Sequence, residues 1–253
     1  ALLEEKVDLA VHSFKDLSSK SPAGLEVAAV TEREDPRDLL IIHPKAYAPD
    51  AAPPFYSPSG GRGDEESSVI PLKRGVSVGT SSVRRSAQLK NMRPDIRIKD
   101  LRGNVPTRLQ KLADEQYDAI ILAAAGLNRL GINPSQFNIT KCNITRFVPA
   151  PGQGALAVQM RDQDPLFGKV RKLLHHEITG RATSLERKVM LRFGGGCGLP
   201  LGVLAKSVDD FWELFGFWGG DPGQPVWAHV KGSYDDDLPE ILYNKLQVAN
   251  HRQ

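Results

Sequence analysis

Four arginines in the first half of the chain, Arg84, Arg85, Arg102 and Arg108, stand where the pattern makes their chemistry easiest to read. Arg84 and Arg85 fall in the first turn of a predicted helix, directly after the capping hydroxyls Thr80-Ser81-Ser82. A cation there opposes the helix macrodipole by about 0.3–1 kcal/mol, and a purely structural helix would favour an acid. The expectation is therefore a bound polyanion that offsets this cost, and the planar guanidinium fork suits carboxylate or phosphate. Lys90, Arg93, Arg97 and Lys99 are expected on solvated faces. Cys197, between Gly194-Gly195-Gly196 and Gly198, has no bulky neighbour, so from a flexible loop it could reach a cleft and act as a nucleophile once ionised. Cys142, in a polar stretch, reads as incidental. On spacing alone, Lys15-Asp16 is an ordinary surface pair and His12 a satisfied near-core imidazole. His175-His176-Glu177 predicts no metal site, because adjacent helical residues point apart and no third ligand is suitably spaced.

The elements that must position these groups follow from periodicity. Strands are expected at 7–11, 25–30, 39–42, 76–79, 96–101, 118–124 and 155–160. Helices are expected from Ser82 to about Asn91, after Gly103-Asn104 to about Glu115, after the third of these βα units up to Gly131, at 164–175 and at 183–193. Three βα units in succession predict a doubly wound α/β sheet. Segments 80–85, 102–108 and 126–129 each follow a strand, so all three should meet at one sheet edge, where such folds bind ligands. Beyond Cys197, strands at 211–218 and 226–231 and a helix at 238–248 predict a smaller α+β unit. Residues 46–68, rich in Pro, Ser, Gly and Ala, read as a disordered insertion.

Composition sets the outer bounds. With 253 residues, 40% hydrophobic and 25% charged, the chain is that of a globular protein rather than a disordered one. No apolar run approaches the roughly 20 residues of a membrane helix, and no signal segment opens the chain. Two cysteines exclude a disulfide framework and suggest a reducing compartment. The total charge of +3 conceals a segment, 73–111, that alone carries +9, which implies an anionic partner. That segment has no aromatic residue, so a stacking platform for nucleic acid is not expected.

Six ordered blocks then carry a resemblance: V-H-S-F-K-D (11–16), G-T-S-S-V-R-R-S-A-Q-L (79–89), L-R-G-N-V-P-T-R-L-Q-K-L (101–112), Y-D-A-I-I-L-A-A-A-G-L-N-R-L-G (117–131), P-G-Q-G-A-L (151–156) and G-G-C-G-L-P (195–200). Together they resemble the porphobilinogen deaminase (hydroxymethylbilane synthase) family. The resemblance implies a transferase that joins four porphobilinogen units head to tail with loss of ammonia, in tetrapyrrole and haem synthesis. It also implies a dipyrromethane cofactor, thioether-linked at Cys197. By the same resemblance Asp16 handles the pyrrole nitrogens and the azafulvene cation, assisted by Lys15, while lysine and arginines hold acetate and propionate groups. Cofactor contacts are implied for Ser13, Lys15, Asp16, Thr80, Ser81, Ser82, Arg84, Arg85, Arg102, Gly103, Arg108 and Gln153, with no metal. The implied fold has two doubly wound, periplasmic-binding-protein-like domains, 1–36 with 150–172 and 37–149, plus a small α+β cofactor-attachment domain at 177–253. A cytoplasmic monomer is expected, or a plastid one should a transit segment precede Ala1. The family's upstream G-T-R-x-S-x-L-A segment has no counterpart, so the chain is expected to begin partway through a longer one. Phe193-Gly194-Gly195-Gly196-Cys197 replaces the family's Leu-Glu-Gly-Gly-Cys. The rival reading is a non-catalytic anion-binding module, or an inactive diverged fragment, on the same fold; a binding module would need neither Cys197 nor Asp16.

Overall fold

A computed structural model describes residues 1–48, 70–196, 198–220 and 224–248. The expected insertion at 46–68 begins as ordered chain: Ala46 ends a short 3-10 turn and Tyr47 bridges to Leu72. Residues 49–68 lie outside the described residues.

The strands and helices expected from periodicity form, with shifted ends. In chain order they are β1 (Ala10–Ser13), β2 (Leu25–Val30), β3 (Asp38–Ile42), β4 (Ser77–Gly79), α1 (Val83–Met92), β5 (Arg97–Lys99), α2 (Val105–Ala113), β6 (Ala119–Ala123) and α3 (Ala124–Leu130). There follow β7 (Asn138–Lys141), β8 (Leu156–Arg161), α4 (Phe167–Leu174), α5 (Glu177–Arg192), β9 (Leu201–Val208), β10 (Phe211–Trp218), β11 (Val226–Gly232) and α6 (Leu238–Val248). Local chemistry fixes the helix ends. Ser82 caps α1 by accepting from the Arg85 N–H at 3.4 Å, and Asn104 caps α2 by accepting from Thr107 N–H at 2.9 Å. Gly131 stops α3 in the left-handed region at φ 62°. Helix α5 starts six residues earlier than periodicity predicts, because the His176 side chain caps it at Thr179.

Three sheets result. The middle one has the order β5-β4-β6-β3-β7, with β4 parallel to both β5 and β6, as the βα units require. Helices cover both faces, over one core centred on Val78, Leu89 and Ile121 and another on Ile41, Leu112 and Ile120. This sheet is not purely parallel, since β3 runs antiparallel to β6 and β7. The first sheet, β1-β8-β2, repeats the feature: β8 is antiparallel to both neighbours. Strands β3 and β8 each arrive from the other sheet, and a strand entering from the far side runs against the strands that the local βα units lay down. The chain thus crosses between the two sheets twice, at 31–37 and at 142–155. Strand β7, with its alternating polar sequence Asn-Ile-Thr-Lys, and strand β9 are not among the strands that periodicity predicts. The third sheet, β11-β10-β9, is a meander that buries one face under α5 and α6. Its other face meets the second sheet's unit through Phe217, Leu204 and Val148.

One ion pair ties all three sheets together. Glu186 of α5, fully buried, accepts from Arg33 of the first crossing at 2.6 and 3.2 Å, from Gly152 N of the second crossing at 2.6 Å and from Ala205 N of β9 at 2.9 Å. The two crossings also touch directly at Gly154, whose φ of 89° and whose missing Cβ, which would collide with the Glu34 carbonyl, both require glycine.

Candidate active site

The carboxyl ends of β4, β5 and β6 do share an edge, but only part of the expected arginine cluster meets there. Arg84 and Arg85 are buried at 3% and 6% exposure, and their counter-charge is internal. Asp38, at the first position of β3 and fully buried, accepts from Arg84 Nη2 at 2.8 Å and from Arg85 Nη2 at 2.7 Å. Arg84 Nη1 donates to the Val148 carbonyl at 2.7 Å, and Arg85 Nη1 to the Ile121 carbonyl at 3.1 Å. This corrects the expectation that a bound polyanion offsets the two cations at the helix start, since a carboxylate from 46 residues upstream does so. Burial alone would raise the Asp38 carboxyl, yet the two guanidiniums hold it well below the usual carboxylate range.

A cavity of about 220 Å³ opens beside this cluster. Lys15 and Asp16 enter it from the 3-10 turn after β1, Ser81, Ser82, Arg84 and Arg85 from the start of α1, and Gln153 from the second crossing. Val83, Met190, Leu199 and Leu201 make its apolar wall, and Gly196 and Gly198 border it. Cys197 itself lies outside the described residues, but both of its chain neighbours line the cavity. Across Lys15 and Gln153, which border both, a second cavity of about 230 Å³ is lined by Ser13, Gly126 and Arg129 among others. Arg129, at the end of the 126–129 segment expected at this edge, donates to the Gly154 carbonyl at 2.7 Å.

The other expected site residues are placed differently. Thr80 is buried and accepts from Ser82 N–H at 3.2 Å, while the Ser81 hydroxyl donates to the Leu101 carbonyl at 2.6 Å. Arg102 is 84% exposed and paired with Asp100, and it lines neither cavity. Gly103 holds φ 118° at the turn into α2, and its carbonyl accepts from Arg108 Nε at 2.6 Å. Arg108 also lines neither cavity, although partial burial and the nearby Arg85 charge lower its pKa. Asp16 is exposed at the cavity rim rather than buried. His12, expected to be satisfied, keeps a buried Nε2 without a hydrogen-bond partner. Arg93, expected on a solvated face, is 3% exposed and donates to the Ile70, Leu72 and Lys73 carbonyls. Cys142 packs beside the second sheet's core, and burial pushes its thiol up to about 12, which removes it as a nucleophile. Among the described residues no group of three or more His, Cys, Asp or Glu is placed to hold a metal, and no helix is long and apolar enough to cross a membrane.

Burial, then the Arg85 and Arg84 charges, push Lys15 down to about 8 against the opposing pull of Asp16 and Asp38. A lysine so depressed is neutral in the folded chain between about pH 8 and its ordinary value of 10.5, while the unfolded chain still binds the proton. That contribution therefore raises folding stability as pH climbs through this window. It removes a cation from the cavity over the same range. Binding of a small dicarboxylate, followed by calorimetry, should weaken as pH rises through 8, and the Lys15→Met variant should lose that step.

The dipyrromethane group implied by the family fits this cavity on two observations. Arg85 Nε and Gln153 Oε1 are buried polar atoms without a hydrogen-bond partner, on residues lining the same wall. They offer one donor for a carboxylate and one acceptor for an N–H. The bordering Gly196 and Gly198 bring the Cys197 position to the same place.

Comparison with known proteins agrees. Residues 1–168 match the family model described as porphobilinogen deaminase, dipyromethane cofactor binding domain. The porphobilinogen deaminase of Albidiferax ferrireducens is 40% identical over 234 residues, covering 92% of this chain and 67% of that protein. That of Fusobacterium nucleatum is 40% identical over 246 residues, covering 96% and 72%. That of Syntrophobacter fumaroxidans is 41% identical over 230 residues, covering 89% and 66%, so the chain spans about two thirds of such relatives. Among solved structures, an arginine-specific periplasmic binding protein of Salmonella typhimurium covers 68% of this chain and is covered over 66% of its own length, at 12% identity and a TM-score of 0.36. The GluR0 ligand-binding core with L-glutamate gives 74% and 75%, at 14% identity and a TM-score of 0.34. Likenesses as loose as these carry no conclusion. Family model and relatives together establish that the chain belongs to the porphobilinogen deaminase family.

Proposed function

We infer that this chain is a porphobilinogen deaminase that condenses four porphobilinogen units into hydroxymethylbilane, releasing ammonia at each step, with its dipyrromethane held by Cys197. The observation that carries this is the cavity in which Lys15, Asp16, Arg84, Arg85 and Gln153 meet the glycines on either side of Cys197. When bound, the dipyrromethane supplies the nucleophilic pyrrole carbon. The chain's residues do the rest. Lys15 and Arg85 hold carboxylates at the wall, and Lys15 and Gln153 face the second cavity as well, where Arg129 and Ser13 suit the incoming unit's own acid groups. Asp16, at the rim, takes the pyrrole N–H and stabilises the cation left when the aminomethyl C–N bond breaks and ammonia departs with the electron pair. The proton displaced by the new C–C bond would pass to water at the open rim beside Asp16. The apolar wall of Val83, Met190, Leu199 and Leu201 keeps water from capturing the cation first. Arg102, Gly103 and Arg108, which lie outside both cavities, serve the extending chain. Monomeric action in the cytoplasm on this small substrate, with 1–36 plus 150–172, 37–149 and 177–253 as three domains, completes the reading, and the three sheets support the division.

Intact mass tests it. Protein made in cells that supply porphobilinogen is expected to carry the added mass of two pyrrole units. The adduct should map to the peptide containing Cys197 rather than Cys142 and be absent from Cys197→Ser. Full activity with unmodified mass would sink the mechanism, and unmodified mass with tight anion binding would favour a non-catalytic binding module.

A further inference from the structure

One buried carboxylate behind the cavity lining has no assigned part in the reaction, yet it holds three residues that line the cavity. Asp38 Oδ2 takes Arg84, and Asp38 Oδ1 takes both Arg85 and, at 2.9 Å, Gln153 Nε2. Gln153 also donates to the Pro36 carbonyl at 2.7 Å, so the second crossing is fastened to the first next to the carboxylate. With these bonds made, Arg85 has Nε left over and Gln153 has Oε1 left over, both buried. A buried polar atom left unmade costs about 1–3 kcal/mol, which a ligand bearing an acceptor beside an N–H recovers.

We propose that Asp38 is a positioning residue: it grips Arg84, Arg85 and Gln153 so that one donor and one acceptor remain at the cavity wall, and it sets the charge that Lys15 meets there. The proposal rests on the reading of this cavity as the pyrrole site. Its charge balance is specific. The charges that act on Lys15 are those of Arg85 and Arg84 on α1, Asp38 on β3 and Asp16 on its own turn. Removing the Asp38 charge leaves two guanidiniums uncompensated beside the lysine and releases Arg85 and Gln153, so the Lys15 midpoint and dicarboxylate binding should change together, whereas a carboxylate that only stabilised the fold would leave binding by the folded variant as it was.

The test reads Lys15 in the full chain without ligand, by the pH dependence of its acetylation rate measured on peptides. In the unaltered chain the midpoint should lie near 8. In Asp38→Asn, which keeps the shape, it should fall by about one unit or more. Glu186→Gln alters an equally buried carboxylate that lines neither cavity, so it should lower the melting temperature without moving the Lys15 midpoint. An unmoved midpoint in folded Asp38→Asn overturns the proposal. Should that variant fail to fold, Asp38→Glu takes its place: it keeps the charge but displaces the grip on Arg84, Arg85 and Gln153, so dicarboxylate binding should weaken several-fold, and unweakened binding overturns the proposal equally. Adduct mass is measured on separate preparations of the same variants, made in cells that supply porphobilinogen. Adduct with an unmoved midpoint defeats only the role of Asp38; a moved midpoint without adduct defeats only the pyrrole reading.

Discussion

Asp16→Asn should lower turnover about 10²–10³-fold, the scale on which loss of one preorganised electrostatic partner of the transition state is felt, while leaving the fold and the Cys197 adduct in place. The asparagine keeps the shape and can still accept a pyrrole N–H, but it carries no charge to oppose the developing cation. Asp16 is exposed at the cavity rim, so the change takes no buried charge out of the core. Single-turnover release of ammonia, with adduct mass as the loading control, checks the outcome. Rates within a few-fold of the unaltered protein would remove Asp16 from the mechanism.

Arg33→Met should destabilise the chain by about 3–5 kcal/mol, the cost of stripping the partner from a buried charge. Its side chain is 12% exposed and Glu186 is fully buried, so the carboxylate would be left with only the Gly152 and Ala205 N–H groups. Against a typical total of about 5–15 kcal/mol this is a large fraction. Urea denaturation should show the midpoint drop, and the double variant Arg33→Met with Glu186→Met should recover much of it, because an apolar pair of similar volume strands no charge. A loss below about 1 kcal/mol would mean that the two backbone donors suffice for Glu186.

These two changes act through contacts of different range, and the same difference separates what could be read from the chain itself. The helix caps Ser82 and Asn104, the stop at Gly131 and the βα order of the second sheet are encoded within a few residues, by hydroxyl or amide caps, apolar period and glycine's access to positive φ. So is the arrival of Lys15, Arg84 and Arg85 at strand ends, which puts them at the cavity. Periodicity is silent on strand direction, and only the two crossings decide that β3 and β8 run against their neighbours. An acid at the head of an apolar strand, Asp38-Leu39-Leu40-Ile41-Ile42, was a visible oddity, but nothing local says that it neutralises Arg84 and Arg85, 46 and 47 residues on, or that Glu186 meets an arginine 153 residues back. Burial brings distant charges together where water no longer screens them, so tertiary packing alone decided which arginines keep a donor for a ligand and which, like Arg84, are spent inside the protein.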